Sequence, residues 1–429
     1  MVIKRDRYLE KLISKQKNGM IKVITGLRRC GKSFLLFELY RDYLISSGVP
    51  ENNILCIPLD DVDYEEYCDP HKLHTYIKEQ VNDPEQQYYV FIDEAQYAIS
   101  KEEMKNPDVP IRLYGVLNSL LRKRNVDVYI TGSNSKFLSS DIMTEFRGRG
   151  YEVHIAPLSF SEYFPASGLN KMDAWKEYLY YGGLPHILAE MGDEAKSNYL
   201  EKLNREIYLR DIYERYDMRE EAGMESLMKV VASAVGSLTN PQKISATFMS
   251  SGYKGISIPT ISNYLKYLQE SFVIQKAERY DIKGRKYIGT PSKYYYSDLG
   301  LRNSLLNFRQ FEETHLMENA IYNELIYRGY NVDVGVVEVR QDEDGKRVRK
   351  QMEVDFVVNQ SSRRYYIQSA FALPNREKVE QEQASLVKIP DSFKKIIVVG
   401  DNSPIWRNEE GVTIIGIYDF LLNNNSLDL

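Results

Sequence analysis

The chain has 429 residues, 43% of them hydrophobic and 27% charged, with a formal net charge of −5. A single core stops growing near roughly 250–300 residues, so this length predicts two to four domains, and the composition excludes a broadly disordered chain. The mildly acidic balance excludes a global positive field, so any contact with nucleic acid must come from a local basic patch.

Residues 21–25 form a β-branched run that predicts a strand, followed by a glycine-bounded loop and apolar residues at helical spacing through Leu44. Further strands are predicted at 53–59, 88–92, 126–131 and 151–155, with helices at 71–81 and 111–124 between them. The strand at 88–92 is apolar on both faces, as a central parallel strand requires, and the alternation of strand and helix predicts an α/β doubly wound parallel sheet. The strand at 53–59 lies between the others in sequence, so strands 21–25 and 88–92 can be neighbours with 53–59 beyond.

After Pro157 the pattern turns helical, at 159–164, 173–181 and 196–216, with a Gly182-Gly183 break. Helices at 224–237, around 243–249 and at 258–270 then precede strands at 272–279 and 293–296, the outline of a winged helix. A helix at 316–327 and strands at 332–339, 353–359, 365–370 and 395–399 predict a second, smaller α/β unit, with 341–350 a charged hairpin tip. Three cysteines, Cys30, Cys56 and Cys68, lack C-x-x-C spacing, which argues against a disulfide framework or zinc site and fits a reducing cytoplasm. No signal-type apolar core occupies residues 1–22 and no run of 18 apolar residues occurs, so no membrane partner is expected. The 34 tyrosines suit half-buried sheet faces, with stacking surfaces the rarer use.

The segment Gly26-Leu27-Arg28-Arg29-Cys30-Gly31-Lys32-Ser33 matches G-x-x-x-x-G-K-[ST] between a strand and a helix, the context a phosphate-binding loop needs. Its glycines let backbone N–H groups turn inward around phosphate oxygens, and the following helix adds its positive end. The nucleotide contacts are therefore assigned to Gly26, Leu27, Arg28, Arg29, Cys30, Gly31, Lys32, Ser33 and Phe34. Lys32 reaches the β- and γ-phosphates, and the Ser33 hydroxyl ligates magnesium. Asp93, ending the strand at 88–92, would share that magnesium through its water shell, while Glu94 would orient and deprotonate the attacking water. The expected cofactors are thus ATP and Mg2+. Thr131-Gly132-Ser133-Asn134 would deliver a polar sensor, Ser133, beside the γ-phosphate, although plain turn chemistry also explains it. Arg147 and Arg149 could stabilise the transferred phosphoryl charge, in cis or from a neighbouring subunit of a homo-oligomer, or be solvated surface charges.

These residues together resemble the bacterial and archaeal AAA+ type ATPases in which a P-loop domain precedes a C-terminal domain of unknown function numbered 4143. The resemblance also rests on Asp93-Glu94-Ala95-Gln96, Thr131-Gly132-Ser133, Arg147-Gly148-Arg149, Pro157-Leu158-Ser159-Phe160-Ser161-Glu162 and Gly182-Gly183-Leu184-Pro185. It implies a restriction-endonuclease-like C-terminal unit whose acid positions fall on Glu318, Asp355 and Gln368. Ala370 stands where such a nuclease usually has its lysine, so a retired, interaction-only domain is expected. The predicted domains are a P-loop ATPase core 1–157, a helical lid subdomain 158–221, a winged-helix domain 222–303 and a restriction-endonuclease-like domain 304–429.

Within the winged helix, Ser257 caps helix 258–270, with Pro259 in its first turn. Ile261, Tyr264, Leu265 and Leu268 form the buried stripe, and Thr260, Asn263, Lys266 and Tyr267 face outward. Lys276, Arg279, Lys283, Arg285, Lys286 and Lys293 would give the wing its phosphate-facing charge, so duplex DNA is a candidate partner. Two readings stay open: a motor acting on DNA, or a nucleotide-gated switch that binds a protein partner.

Overall fold

The structure, a computed structural model, describes the chain apart from residues 1, 107, 133–145, 147, 217, 219–220, 251–255 and 344–345. Two compact units emerge, Met1–Pro157 with Glu270–Phe272, and Leu158–Gln269 with Val273–Leu429.

In the first unit, β1 (Ile21–Gly26), β2 (Ile54–Pro58), β3 (Tyr88–Asp93), β4 (Val126–Thr131) and β5 (Gly150–Ile155) form one all-parallel sheet in the order β2-β3-β4-β1-β5. Helix α1 (Asp6–Ser14) precedes β1. Helix α2 follows the phosphate-binding loop as α-helical Lys32–Phe34, a π stretch Leu35–Tyr40 and α-helical Arg41–Ser46. Helices α3 (Pro70–Gln80) and α4 (Arg112–Leu121) turn Leu73, Ile77, Leu113, Leu117 and Leu120 onto a core with Val90, Ile92, Val128 and Ile130. Asp69 caps α3 by accepting the His71 N–H at 2.8 Å and the Lys72 N–H at 3.1 Å.

The expected adjacency of β1 and β3 is corrected: β4 stands between them. A buried ion pair is the local cause. Lys22 on β1, fully buried, meets Asp127 on β4, which also accepts the Tyr129 hydroxyl at 2.8 Å and the Lys17 N–H at 2.9 Å. A buried lysine needs a counter-charge, and β4 brings it to β1.

In the second unit, helices α5 (Phe160–Ser167), α6 (Lys171–Tyr181), α7 (Gly192–Lys202, continued by a π stretch Leu203–Leu209 and by Arg210–Tyr216), α8 (Glu221–Ser233), α9 (Pro241–Ser250) and α10 (Ile258–Glu270) come first. They lead into β6 (Ile274–Asp281), β7 (Lys286–Tyr296), α11 (Leu299–Leu305) and α12 (Glu313–Tyr327). Then come β8 (Asn331–Glu343), β9 (Lys346–Gln360), β10 (Arg363–Ala370), α13 (Arg376–Val387), β11 (Lys394–Val399), β12 (Trp406–Arg407), β13 (Thr413–Gly416) and α14 (Ile417–Leu422). The strands form one mixed sheet in the order β12-β13-β11-β10-β9-β8-β6-β7. The wing strands are therefore not separate from the smaller α/β unit: β6 pairs in parallel with β8, Arg279 opposite Val334 and Asp281 opposite Val336.

Helix α11, buried along its whole length, is the hub of this unit. Just before it, the buried Asp298 carboxylate accepts the Gly183 N–H at 2.7 Å and the Leu301 N–H at 3.0 Å. Burial still pushes this acid up to about 6 against the pull of those amides. A Cβ on Gly182, at φ +77°, would fall 2.3 Å from Asp298 Oδ1, which explains the glycine pair that breaks the helical run. Asn303 Nδ2 donates to the carbonyls of Leu179 and Tyr180, each at 2.9 Å, and the Asn204 amide donates to the Leu301 carbonyl at 3.0 Å.

Lys293 on β7 overturns its expected role as a phosphate-facing cation. It is 2% exposed, and its ammonium lies 2.9 Å from Glu318 Oε1, 2.7 Å from Glu353 Oε1 and 3.5 Å from Asp355 Oδ1. The Tyr295 hydroxyl donates to Glu318 Oε1 at 2.7 Å, and the Ser369 N–H to Asp355 Oδ2 at 2.9 Å. Burial pulls Lys293 down, but the three acids together outweigh it and hold it well above the ordinary lysine range, while burial, then Glu318, push Asp355 up to about 7. Both faces of β7 are buried from Ser292 to Tyr296, so Lys293 is enclosed wherever it points, and only its charge partners make that burial tolerable.

Two outcomes follow for stability. Lys293→Met should cost about 3–5 kcal/mol at pH 7 by stranding buried carboxylates. Asp355 loses in this variant the Lys293 charge that lowers it, so its folded-state pKa rises further; a raised carboxylate favours folding at low pH and loses that advantage as pH rises, so the deficit should grow between pH 5 and pH 8. Denaturant unfolding across that range checks this, and a pH-independent deficit would contradict it. Gly182→Ala should lower the melting temperature far more than Gly192→Ala, which has a similar φ of +81° but open space around its Cβ. Equal losses would show that the Asp298 contact is not the cause.

Candidate functional site

The phosphate-binding loop starts where β1 ends. Gly26, at φ +143°, lies so close to β5 that a Cβ would sit 2.2 Å from the Ile155 carbonyl oxygen. Arg29 and Gly31 take φ values of +65° and +98°, and the chain enters α2 at Lys32. These left-handed residues curl the backbone into the concavity that phosphate binding uses. The buried Lys32 ammonium donates to the carbonyls of Gly26 at 3.2 Å and Leu27 at 3.1 Å. Leu27 and Cys30 are buried, Arg28 is half-buried, and Arg29 and Phe34 are exposed. Cys30 Sγ lies 3.4 Å from the Ile155 carbonyl, and burial pushes its thiol up, so it stays protonated.

Two strands away, Asp93 closes β3, 3% exposed. Its carboxylate takes hydrogen bonds from the hydroxyls of Ser33 and Thr131, so the two predicted magnesium ligands meet. Burial raises Asp93, and those hydroxyls pull it back down. Glu94 follows in left-handed conformation, its N–H donating to Thr131 Oγ1 at 3.0 Å and its carboxylate accepting from the Gln96 amide. Burial raises Glu94, opposed chiefly by the Lys32 charge. The interposed β4 thus delivers Thr131, whose hydroxyl accepts from one residue of the acid pair and donates to the other.

Among the described residues, no group of three His, Cys, Asp or Glu is spaced to hold a metal ion. Magnesium keeps most of its water and takes one or two protein oxygens, so the adjacent Ser33 hydroxyl and Asp93 carboxylate fit it. Ser133 and Arg147 lie outside the described residues. Arg149 lies just before Gly150, which pairs with Ile21, while the loop glycine Gly26 pairs with Ile155. Five residues of strand, about 16 Å, separate those ends, beyond the reach of Arg149 toward its own loop. Its guanidinium instead donates to the Phe146 carbonyl and to Asn118 Oδ1, each at 3.3 Å.

In the second unit, Glu318 and Asp355 converge, but on Lys293. Gln368 does not join them there: its Oε1 accepts the Asp355 backbone N–H at 3.3 Å. Helix α10 buries Ile261, Tyr264, Leu265 and Leu268 as expected, and the Ser257 hydroxyl accepts the Thr260 N–H at 3.2 Å. Asn263, Lys266, Lys283 and Arg285 are exposed and Thr260 half-buried.

Thr131 and Gln96 lie within the sequence motifs, but their contacts with Asp93 and Glu94, and the part played by Arg5, emerge only in the fold. Arg5 donates to the Cys30 carbonyl at 3.2 Å and the Ala156 carbonyl at 2.6 Å, tying the loop to the end of β5. A threonine ending the fourth strand was a readable signal. Nothing local marks Arg5, whose partners lie 25 and 151 residues away.

Residues 18–164 match the AAA domain family, and residues 172–312 match a domain of unknown function numbered 8612, where the resemblance implied number 4143. An uncharacterized protein of Haemophilus influenzae is 33% identical over 427 residues, covering 98% of this chain and 99% of that protein. The uncharacterized protein MJ1544 of Methanocaldococcus jannaschii is 27% identical over 373 residues, covering 83% of this chain and 75% of that protein. Among solved structures, the ORC1 protein of Aeropyrum pernix in complex with DNA is 14% identical, covering 72% of this chain and 93% of that one at a TM-score of 0.29, a likeness too slight to argue from. With a parallel sheet bearing the loop and acid pair, and a relative aligned over nearly its full length, the chain belongs to the family of that Haemophilus influenzae protein and carries an AAA domain of the P-loop type.

Proposed function

We propose that this chain is an AAA+ type ATPase that binds ATP with Mg2+ and hydrolyses it to ADP and phosphate. One observation carries the reading: Lys32, Ser33, Asp93 and Glu94 gather at the C-terminal ends of β1 and β3, beside a backbone turn that only glycine can make. Gly26–Phe34 would wrap the phosphates, and Lys32 would exchange its two carbonyl partners for phosphate oxygens, which carry more negative charge. Ser33 and Asp93 are the residues to hold the metal, which when bound neutralises charge building up between the β- and γ-phosphates. Glu94 would take the proton of the attacking water, and its upward shift by burial makes it a stronger base than a free glutamate. Arg149 would serve only a neighbouring subunit's nucleotide, which makes a homo-oligomer part of the proposal. Among the described residues no helix is long and apolar enough to cross a membrane, and a cytoplasmic setting is proposed with the rest.

A DNA-binding role for a winged helix at 222–303, flanked by a helical subdomain at 158–221 and a retired nuclease-like domain at 304–429, is the second reading. It is favoured by the exposed Asn263, Lys266, Lys283 and Arg285, and by an isolated antiparallel bridge, Thr239 to Ser292, that adds a third strand position to the wing. Lys293 within the acid cluster, with Ala370 at the usual lysine position, supports retirement of the nuclease.

Lys32→Ala should weaken ATP binding at least about tenfold. Glu94→Gln should keep binding while lowering turnover about 100-fold or more, the usual worth of a general base; equal turnover in the two proteins would remove Glu94 from the mechanism. Duplex DNA should bind with affinity falling steeply with salt, and the double charge reversal Lys283→Glu with Arg285→Glu should weaken it without changing ATP affinity. Absent DNA binding at low salt, with and without ATP, leaves the protein-binding switch.

A further inference from the structure

Gln96 lies two residues past the candidate base, in the turn Ala95–Ala98 that follows β3. Glu94 leaves the strand at φ 49° and ψ 50°, a conformation that few residues other than glycine adopt and that is kept only where surroundings enforce it. Three contacts do so: the Glu94 N–H donates to Thr131 Oγ1 at 3.0 Å, the Glu94 carbonyl accepts the Tyr97 N–H at 3.0 Å, and Glu94 Oε2 accepts from Gln96 Nε2. The first two fix the backbone. The third holds the carboxylate itself, beside the charge of Lys32. Gln96 Oε1 is meanwhile buried with no hydrogen-bond partner among the described residues, and a buried acceptor left bare costs roughly 1–3 kcal/mol unless another group supplies its donor.

We propose that Gln96 is the positioning residue of the base: its amide pins one oxygen of the Glu94 carboxylate, so that the other is presented to the attacking water. A base oriented by a third group is the general arrangement that makes proton abstraction effective, and misplacing such a group by about 1 Å can cost about 100-fold. Gln96 acts through Glu94 and does not itself contact the nucleotide. The inference rests on the ATPase reading above, and the two fail in different ways.

The test is steady-state ATP hydrolysis by Gln96→Leu and Gln96→Glu, with Mg-ATP affinity and melting temperature measured on the same samples. Leucine removes the donor and keeps the bulk; glutamate keeps the shape but has no N–H to give. Both should lower kcat about 10- to 100-fold with KM and ATP affinity within about twofold. Added to Glu94→Gln, Gln96→Leu should cause no further loss, because the residue has nothing left to position. Normal kcat in the glutamate variant, a loss confined to KM, or an added loss in the double variant would overturn the inference. Should Gln96→Leu unfold, the isosteric glutamate variant decides alone. Wild-type turnover in Glu94→Gln would sink the base assignment itself, whereas an inactive Glu94→Gln beside a fully active Gln96→Glu would sink only the positioning role.

Discussion

The first unit is organised by one close approach: the backbone of Gly26 lies against the Ile155 carbonyl, where a side chain would collide at 2.2 Å. That contact presses the loop onto the end of β5, and Arg5 fastens it by bonding the Cys30 and Ala156 carbonyls at once. The path of the loop is therefore fixed by contacts within the protein itself. Lys32 is held at the mouth of that loop by two neutral carbonyls, those of Gly26 and Leu27. The lateral order of the sheet then decides which side chains face the loop. Because β4 pairs with β3 on one side and β1 on the other, Thr131 stands next to Asp93 and Glu94 and joins them through one hydroxyl.

The second unit is organised by buried charge. Asp298 is buried and sustained by backbone amides on either side, which locks Gly182-Gly183 to the start of α11. Lys293 is buried and sustained by Glu318, Glu353 and Asp355, acids drawn from α12 and β9. Removing one partner from such a group is far more harmful than never having built it, so these clusters act as fixed points of the architecture. The wing strands that sequence reasoning assigned to a separate module are bound into the sheet by β6 pairing with β8 and by Lys293 itself.

The strands of the first unit were legible because each is a short apolar run between turn residues: 88–92 and 126–131 match β3 and β4 to within one residue. The loop and acid motifs were legible because phosphate and metal chemistry fix residue type and spacing. Lateral strand order was not, since periodicity records which face is buried and not which strand is adjacent. The buried Lys22 was a clue, as a charge inside an apolar strand demands a partner from elsewhere. Helix α11 was missed because all its residues are buried, so Leu299–Leu305 shows no amphipathic period. Helix α13 was missed for the opposite reason, with only Ser385 and Leu386 buried along Arg376–Val387. The outward role given to Lys293 failed because composition favours exposed lysines, and its partners lie 25, 60 and 62 residues away.

On the proposed function, Lys32 exchanges backbone carbonyls for phosphate. A crystal structure of the full chain grown with magnesium and a non-hydrolysable ATP analogue tests it most directly. A triphosphate is expected inside the turn from Gly26 to Ser33, with the Lys32 ammonium moved from the Gly26 and Leu27 carbonyls onto its oxygens. Nucleotide bound elsewhere, or an occupied loop with Lys32 still on those carbonyls, would contradict it.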